Sequence, residues 1–274
     1  MIAALIIVFR EIIEAGLVVG IVLAATRGVP SRGLWVGYGV AVGVAGACLV
    51  AAFAGAIANA FAGSGQELFN AVILLAAVVM LAWHNVWMSR HGREIATRMK
   101  AVGKAVAAGS RTMAALAIVV GIAVLREGSE IVLFLYGIAM SSKESAIAMV
   151  TGGVTGVLLG AGVSAMMYYG LLRIPTRYLF SVTSWLLALL AAGMAAQAVA
   201  FLQLAGIVTA FAQTLWDTSN FLADNSVLGK VLHTLIGYTD RPTALQLLVY
   251  LATLATIFVL MRLLGSAPRR TAVA

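Results

Sequence analysis

The stretch Arg10-Glu11-Ile12-Ile13-Glu14 and its counterpart Arg126-Glu127-Gly128-Ser129-Glu130 decide how the chain is interpreted. Each stretch lies inside an apolar run, residues 2–25 and 113–139, that is long enough to cross a bilayer. An ionisable side chain near the middle of such a run costs roughly 2.5–3.5 kcal/mol on insertion scales, and it is tolerated only where it meets a partner, a cavity or an ion. The sequence therefore predicts that the two helices face each other across a buried polar site.

The composition excludes an ordinary soluble protein. The mean hydropathy is +1.04, and the 274 residues are 62% hydrophobic and only 10% charged. The single cysteine, Cys48, excludes an internal disulfide and a thiolate metal site. We expect an all-α polytopic membrane protein in the cytoplasmic (inner) membrane.

Seven apolar runs predict seven transmembrane helices, at residues 2–25, 34–61, 68–88, 113–139, 146–171, 179–204 and 243–263. Thirteen of the 18 basic residues fall in one alternate set of connections, whereas the other set holds only Lys143, Lys230 and Arg241. By the positive-inside rule the N-terminus is outside and the C-terminus is cytoplasmic. The formal charge of +8 is therefore a topology signal and a contact with membrane lipid, and nucleic acid is not an expected partner.

An internal repeat divides this single membrane domain. Residues 8–24 align with residues 124–140, with Val, Arg, both Glu and Leu at identical places, and the two spans run in opposite directions. We predict an inverted three-plus-three repeat with a seventh helix added, which is typical of transporters. The predicted parts are a first repeat (1–88), a basic cytoplasmic loop with a short amphipathic helix (89–112), a second repeat (113–204), an extracytoplasmic loop (205–241), the seventh helix (242–264) and a tail (265–274).

The spacing within each motif places its acids on one helical face. Residues three or four apart are neighbours on a helix, so Glu11 pairs with Glu14 and Glu127 with Glu130, and each arginine lies one turn from the second acid. If the helices cross there, four carboxylates meet two guanidinium groups, and like charges that close do not all ionise without a cation. Carboxylate oxygens suit a hard multivalent metal.

Three alternatives remain open on the residues alone. Each motif can be a structural Arg–Glu clasp between helices, or a proton relay without metal. A membrane di-iron oxidoreductase is the third, although such centres usually pair Glu with His at i+3 and neither motif has that histidine. Outside the motifs, Glu67 near the start of span three and Asp217 in the long loop are candidate cation-collecting acids, against the alternative of ordinary solvated acids.

The paired Arg-Glu-x-x-Glu motifs on spans one and four resemble those of the high-affinity iron permeases of the oxidase-dependent iron transporter family, of the bacterial EfeU type. Gln66-Glu67-Leu68-Phe69, Trp216-Asp217 with Ser219, Gly237-Tyr238 and Pro242 extend the likeness along the chain. One departure is the Gly-Ser pair between the acids of the second motif, where Gly-Leu is commoner.

The resemblance implies a permease and not an enzyme, with iron as transported substrate and no permanently bound cofactor. Glu11, Glu14, Glu127 and Glu130 would then bind iron, Arg10 and Arg126 would support them, and Glu67 would be an accessory acid. The family further implies ferric iron, produced outside the membrane by a periplasmic iron-oxidising partner. Transport of another hard or divalent metal stays open.

Overall fold

The computed structural model describes residues 1–60, 66–141, 145–170, 176–224 and 226–265. These residues form an all-helical protein whose only β-type pairing is a single bridge between Thr214 and Thr243. The eight helices among them are α1 (Ile2–Ala25), α2 (Arg32–Ala60), α3 (Gln66–Ala107), α4 (Ala114–Ser141), α5 (Ala146–Tyr168), α6 (Thr176–Leu204), α7 (Val227–Ile236) and α8 (Ala244–Gly265).

Five of these helices contain stretches long and apolar enough to cross a membrane, namely Arg32–Ala56, Glu67–Trp87, Ala146–Tyr168, Ser181–Leu204 and Ala244–Leu263. The chain is therefore a multi-pass membrane protein. Helices α1 and α4 have 24 and 28 residues, but each carries an arginine and two glutamates in its middle. They are thus long enough to span, while their charge sets them apart from the other five.

The third helix differs from its predicted extent. A helix end was predicted at residue 88, followed by a separate short amphipathic helix, whereas α3 continues without interruption for 42 residues to Ala107. The sequence 89–107 contains no proline to end the helix. Its last part turns apolar residues such as Met99 and Val106 onto a core formed with Val22, Val36 and Val120. Tertiary packing therefore extends the helix beyond the apolar run.

The helices group into two compact units. The first consists of residues 1–70 and 94–183, and the second of residues 71–93 and 184–274. The first unit thus combines α1 and α2 with α4 and α5. The second combines the middle of α3 with residues 184–204 of α6 and with α7 and α8. Neither unit corresponds to one half of the sequence.

In the first unit, α1 packs along α5 and α2 packs along α4, with a further contact between α1 and α4. Glycines make both long contacts close. A Cβ on Gly43 of α2 would lie 2.8 Å from the carbonyl oxygen of Gly121, and one on Gly156 of α5 would lie 2.8 Å from that of Leu5. Such distances leave no room for a side chain, so the backbones approach directly, as small residues allow between membrane helices.

The two close contacts are equivalent to each other. Leu5 and Gly121, which face Gly156 and Gly43, are separated by 116 residues, the same offset as in the repeat of residues 8–24 and 124–140. One turn earlier in each contact, a Cβ on Gly39 would clash with the carbonyl oxygen of Ala117, just as a Cβ on Gly152 would clash with that of Met1. Residue numbers rise together along each contact, so α1 runs parallel to α5 and α2 runs parallel to α4.

The second unit is held by polar and aromatic contacts between helices. The side-chain amide of Asn85 on α3 donates to the carbonyl oxygen of Ser184 on α6, 2.9 Å away. The rings of Trp185 and Phe258 pack α6 against α8, with centroids 5.7 Å apart. The short helix α7 lies within the long loop; its N-cap is Ser226, and Gly237 ends it in a left-handed conformation.

Candidate metal centre

The three charged side chains of the first motif, on α1, are fully buried. Arg10, Glu11 and Glu14 are all at most 3% exposed. The two terminal nitrogens of Arg10 divide between the acids: Nη1 lies 2.8 Å from Glu11 Oε1, and Nη2 lies 2.8 Å from Glu14 Oε1. One guanidinium therefore bridges both carboxylates, as the planar fork of arginine permits.

The second motif, on α4, is more open and less completely paired. Arg126 Nε lies 3.0 Å from Glu130 Oε1 but 3.9 Å from Glu127 Oε1, and the side chain of Arg126 is 34% exposed against 2% for Arg10. Arg126 thus binds Glu130 across one helical turn and only approaches Glu127. The Oε2 atom of Glu127 is buried without a hydrogen-bond partner.

The contact between α1 and α4 brings the two motifs together. Oxygen atoms of Glu11, Glu127 and Glu130 all lie within 4.8 Å of one another, close enough to ligate a single ion. Arg10 lies within electrostatic range of all four glutamates. Glu14 is held by Arg10 and lies outside the group of mutually close carboxylates. The predicted meeting of the two motifs therefore occurs, with three of the four acids in the closest group.

The arrangement suits a hard cation. The two motifs together supply four carboxylates and two guanidinium groups, so the acids outnumber the bases. A buried carboxylate oxygen without a donor, as at Glu127, is costly unless a cation or a proton compensates it. Oxygen donors on two separate helices also allow the distances to an ion to change as the helices move.

The Gly128-Ser129 pair of the second motif has structural roles. A Cβ on Gly128 would lie 2.6 Å from the Cβ of Ala47, so this glycine lets α4 approach α2. The hydroxyl of Ser129 donates to the carbonyl oxygen of Leu125 at 2.7 Å, within its own helix. Gly128 therefore serves a close approach between helices, while the hydroxyl of Ser129 bonds the backbone.

The two accessory acids lie in different settings. Glu67 is exposed in the first turn of α3, where the helix dipole favours an acid. Asp217 accepts from the hydroxyl and backbone N–H of Ser219, at 2.5 and 3.0 Å, and its Oδ2 lies 3.0 Å from Arg241 Nε. These bonds, first those from Ser219 and then that from Arg241, lower the pKa of Asp217 to about 2. A role in collecting cations stays a prediction for both acids.

The loop also contains a pair of acids whose connection the sequence did not indicate. The backbone N–H of Asp240 donates to Asp224 Oδ1 at 3.1 Å, and that of Asp224 donates to Asp240 Oδ2 at 3.2 Å. Burial, followed by the charge of Asp240, raises the pKa of Asp224. The hydroxyl of Tyr238 also joins these two parts of the loop by donating to the carbonyl oxygen of Leu222 at 2.8 Å. Because these partners are 16 residues apart, no local pattern could have revealed them.

The fold and the buried acidic centre together define a class, a multi-pass membrane protein with a carboxylate site between two of its helices. Comparison with known families identifies it further. The chain matches the model of the iron permease FTR1 family over residues 1–272 and belongs to that family.

Curated relatives cover almost the whole chain. The ferrous iron permease EfeU of Yersinia pestis is 31% identical over 271 residues, which is 97% of this chain and 94% of that protein. The protein of the same name from Escherichia coli O6:H1 is 30% identical over 273 residues, covering 97% of this chain and 98% of that one. No solved structure matches the chain.

Proposed function

We propose that this protein imports iron across the cytoplasmic membrane through the site that Glu11, Glu127 and Glu130 form. The observation that carries the proposal is the meeting of the two Arg-Glu-x-x-Glu motifs, where oxygen atoms of Glu11, Glu127 and Glu130 lie within 4.8 Å of one another. Membership in the iron permease family supports iron as the cargo. Arg10 and Arg126 hold the acids in place, and Glu14 completes the first motif by anchoring Arg10.

We further propose seven spans in an inverted repeat, with the N-terminus outside. Parallel packing supports this arrangement, because the charged helices α1 and α4 lie along α5 and α2, which contain candidate spans. The equivalent glycine contacts support the repeat: exchanging α1 with α4 and α5 with α2 converts one contact into the other. Rocking of one repeat against the other would expose the site to each side in turn.

The membrane potential is sufficient to drive import. Moving one charge through 100 mV is worth about 2.3 kcal/mol, so a divalent ion gains roughly 5 kcal/mol and a trivalent ion roughly 7 kcal/mol with the inside negative. The relatives are named as ferrous iron permeases, whereas the family resemblance predicted ferric iron from an external oxidising partner. The experiment therefore compares the two oxidation states of iron, and the iron-oxidising partner stays a prediction.

The experiment is uptake of radioactive iron by proteoliposomes that carry an inside-negative potential. We expect Glu11→Gln and Glu130→Gln to abolish uptake while the purified variants elute as the native protein does. Glu94→Gln is the matched control, because Glu94 forms an exposed pair with Arg98 at 2.5 Å, within the same unit but on a different helix. Full uptake by both site variants would refute the proposal and favour the alternative that each motif is only a structural Arg–Glu clasp between helices.

The same vesicles separate the remaining alternatives. Iron(II) kept reduced with ascorbate and iron(III) supplied as citrate are compared directly for uptake. Zinc and manganese test for a broader metal range, and a pH-sensitive dye inside the vesicles tests for proton movement. In a parallel assay without ascorbate, oxidation of iron(II) by dissolved oxygen faster than in protein-free vesicles, with no accumulation inside, would instead indicate the oxidoreductase.

A further inference from the structure

Helix α7 ends against the middle of a candidate membrane span. A Cβ on Gly193 of α6 would lie 2.6 Å from the Cα of Gly237, so the two backbones touch where α7 ends. Gly193 lies eleven residues before the end of α6, which is about 16 Å along the helix axis. The candidate span Ser181–Leu204 ends at the same residue as α6, so Gly193 lies close to the middle of that span.

Helix α8 contacts the same end of α7. A Cβ on Gly237 would lie 3.2 Å from Cε2 of Tyr250, which is six residues from the start of α8 and about 9 Å along its axis. The end of α6 and the start of α8 share one level, because the hydroxyl of Thr243 donates to Gln203 Oε1 at 3.1 Å. Both helices therefore place Gly237 well below the level at which the chain leaves α6 and enters α8.

The middle of α6 accommodates the backbone of another element. Six of the nine residues from 191 to 199 are alanine or glycine, and the five alanines are at most 7% exposed. Small residues are what allows close approach between elements in a membrane. Gly237 itself has φ +69°, a left-handed conformation that favours glycine. The contact thus has a glycine on each side, and neither position has room for a side chain.

Backbone groups at the end of α7 are bound within the protein. The N–H of Gly237 donates to the carbonyl oxygen of His233 at 2.9 Å, and that of Tyr238 donates to the carbonyl oxygen of Leu232 at 3.4 Å. The carbonyl oxygen of Tyr238 lies 2.7 Å from Nδ1 of His233. Backbone that turns at membrane depth is tolerated where it is buried in protein or lines a water-filled cavity. These three bonds are of the kind that such a position requires.

From these contacts we infer that α7 is a re-entrant helix, which enters the membrane from the face where α6 ends and leads back to the same face at the start of α8. With ten residues it is about 15 Å long, half the length of a spanning helix. Its C-terminal end is the deep one, about 9–16 Å below the ends of the two spans in a hydrocarbon core of about 30 Å.

The re-entry does not depend on the iron site. It changes the predicted extracytoplasmic loop, because α7 becomes a membrane element between two stretches on the same side. The C-terminal end of a helix carries the negative end of its dipole. Transporters direct half-helix ends of this polarity at the cations that they carry. The orientation of α7 therefore places a partial negative charge deep in the membrane, as a cation transporter requires.

The test measures the depth of residue 236 in the full-length protein, reconstituted in lipid vesicles. Cys48→Ala removes the native thiol, and Ile236→Cys, Leu204→Cys and Leu251→Cys each carry one fluorescent label. These three apolar side chains are 39%, 75% and 55% exposed, so each position accepts a label. Leu204 marks the end of α6, and Leu251 lies seven residues into α8, about 10 Å deeper. Depth is obtained by comparing quenching by lipids with a nitroxide near the headgroup and lipids with a nitroxide in the middle of the acyl chain.

We expect the label at residue 236 to lie about 9–16 Å deeper than that at residue 204, and so to match residue 251. A depth closer to that of residue 204 than to that of residue 251 would overturn the inference and leave α7 on the membrane surface.

A second variant tests the glycine contact itself. Gly193→Leu places a side chain where Gly237 lies, so the label at residue 236 should move toward the headgroups. Gly162→Leu on α5 is the matched control, since a Cβ there meets nothing within 4 Å and the depth of residue 236 should stay the same. An unchanged depth in Gly193→Leu would show that this contact does not hold α7 in the membrane, which would also overturn the inference.

Discussion

Replacing Glu127 by glutamine should weaken iron binding more than its small change in shape suggests. Glu127 is 6% exposed, and its Oε2 has no hydrogen-bond partner, while Arg126 Nε is 3.9 Å from the other oxygen. Arg10, by contrast, contacts Glu11 and Glu14 at 2.8 Å each. Among the motif acids, Glu127 is therefore the one farthest from the arginine of its own motif.

The magnitude follows from electrostatics. Two unit charges 4 Å apart interact by about 4 kcal/mol at an effective dielectric constant of about 20. Each 1.4 kcal/mol corresponds to a factor of about ten in Kd. Loss of the Glu127 charge should therefore weaken the binding of iron by at least about 1,000-fold, which is the value for a single unit of charge on the ion.

The assay is iron binding by the purified protein, followed calorimetrically and confirmed by uptake into vesicles. Ser129→Ala is the matched control. The Ser129 hydroxyl donates to the Leu125 carbonyl oxygen within its own helix, so its removal should leave the Kd for iron unchanged. A Glu127→Gln protein that binds iron within tenfold of the native Kd would refute the reasoning. The same holds if Ser129→Ala weakens binding as much as Glu127→Gln.

Three further predictions concern packing and the loop. Gly156→Ala should destabilise the protein by about 1–3 kcal/mol through overpacking, seen as a lower Tm in detergent, whereas Gly153→Ala, with open space at its Cβ, should not. Because the pKa of Asp217 is lowered to about 2, its bond to Arg241 stabilises the loop above the ordinary pKa near 3.9 and is lost as the pH falls through about 2. The Arg241 Nε–H resonance should shift as that bond is lost, and Asp217→Asn should abolish this pH-dependent shift. The pKa of Asp224 is raised, so its contribution to stability should decrease as the pH rises above about 4, and Asp224→Asn should remove that part of the dependence of Tm on pH.

Much of the fold could be predicted from the sequence because hydropathy is a local property. The predicted helix starts and ends for spans one, four, five, six and seven agree with α1, α4, α5, α6 and α8 within about three residues wherever the structure describes them. The charged repeat was also visible, since two motifs of identical spacing stand out against a chain with so few charges. The continuity of α3 was missed, because the amphipathic helix predicted within residues 89–112 is the end of α3, where Met99 and Val106 pack onto the core.

The candidate centre was predicted less completely, because helix spacing alone allows several pairings. An arginine one turn from Glu14 predicts an Arg10–Glu14 pair, but Arg10 also binds its neighbour Glu11. The assumption of four equivalent acids did not anticipate that the closest group contains Glu11, Glu127 and Glu130. Which oxygens approach one another depends on how α1 lies against α4.

The sequence by itself determined that this is a membrane protein with two buried acidic motifs, because burial in lipid is encoded by runs of apolar residues and by the charges that interrupt them. Only the tertiary structure decided which carboxylates meet and where the loop acids find their partners. Those outcomes depend on contacts between residues far apart in the chain, such as the glycine contacts that set α1 on α5 and α2 on α4. Distances of that kind are set by helix packing and not by spacing along one helix.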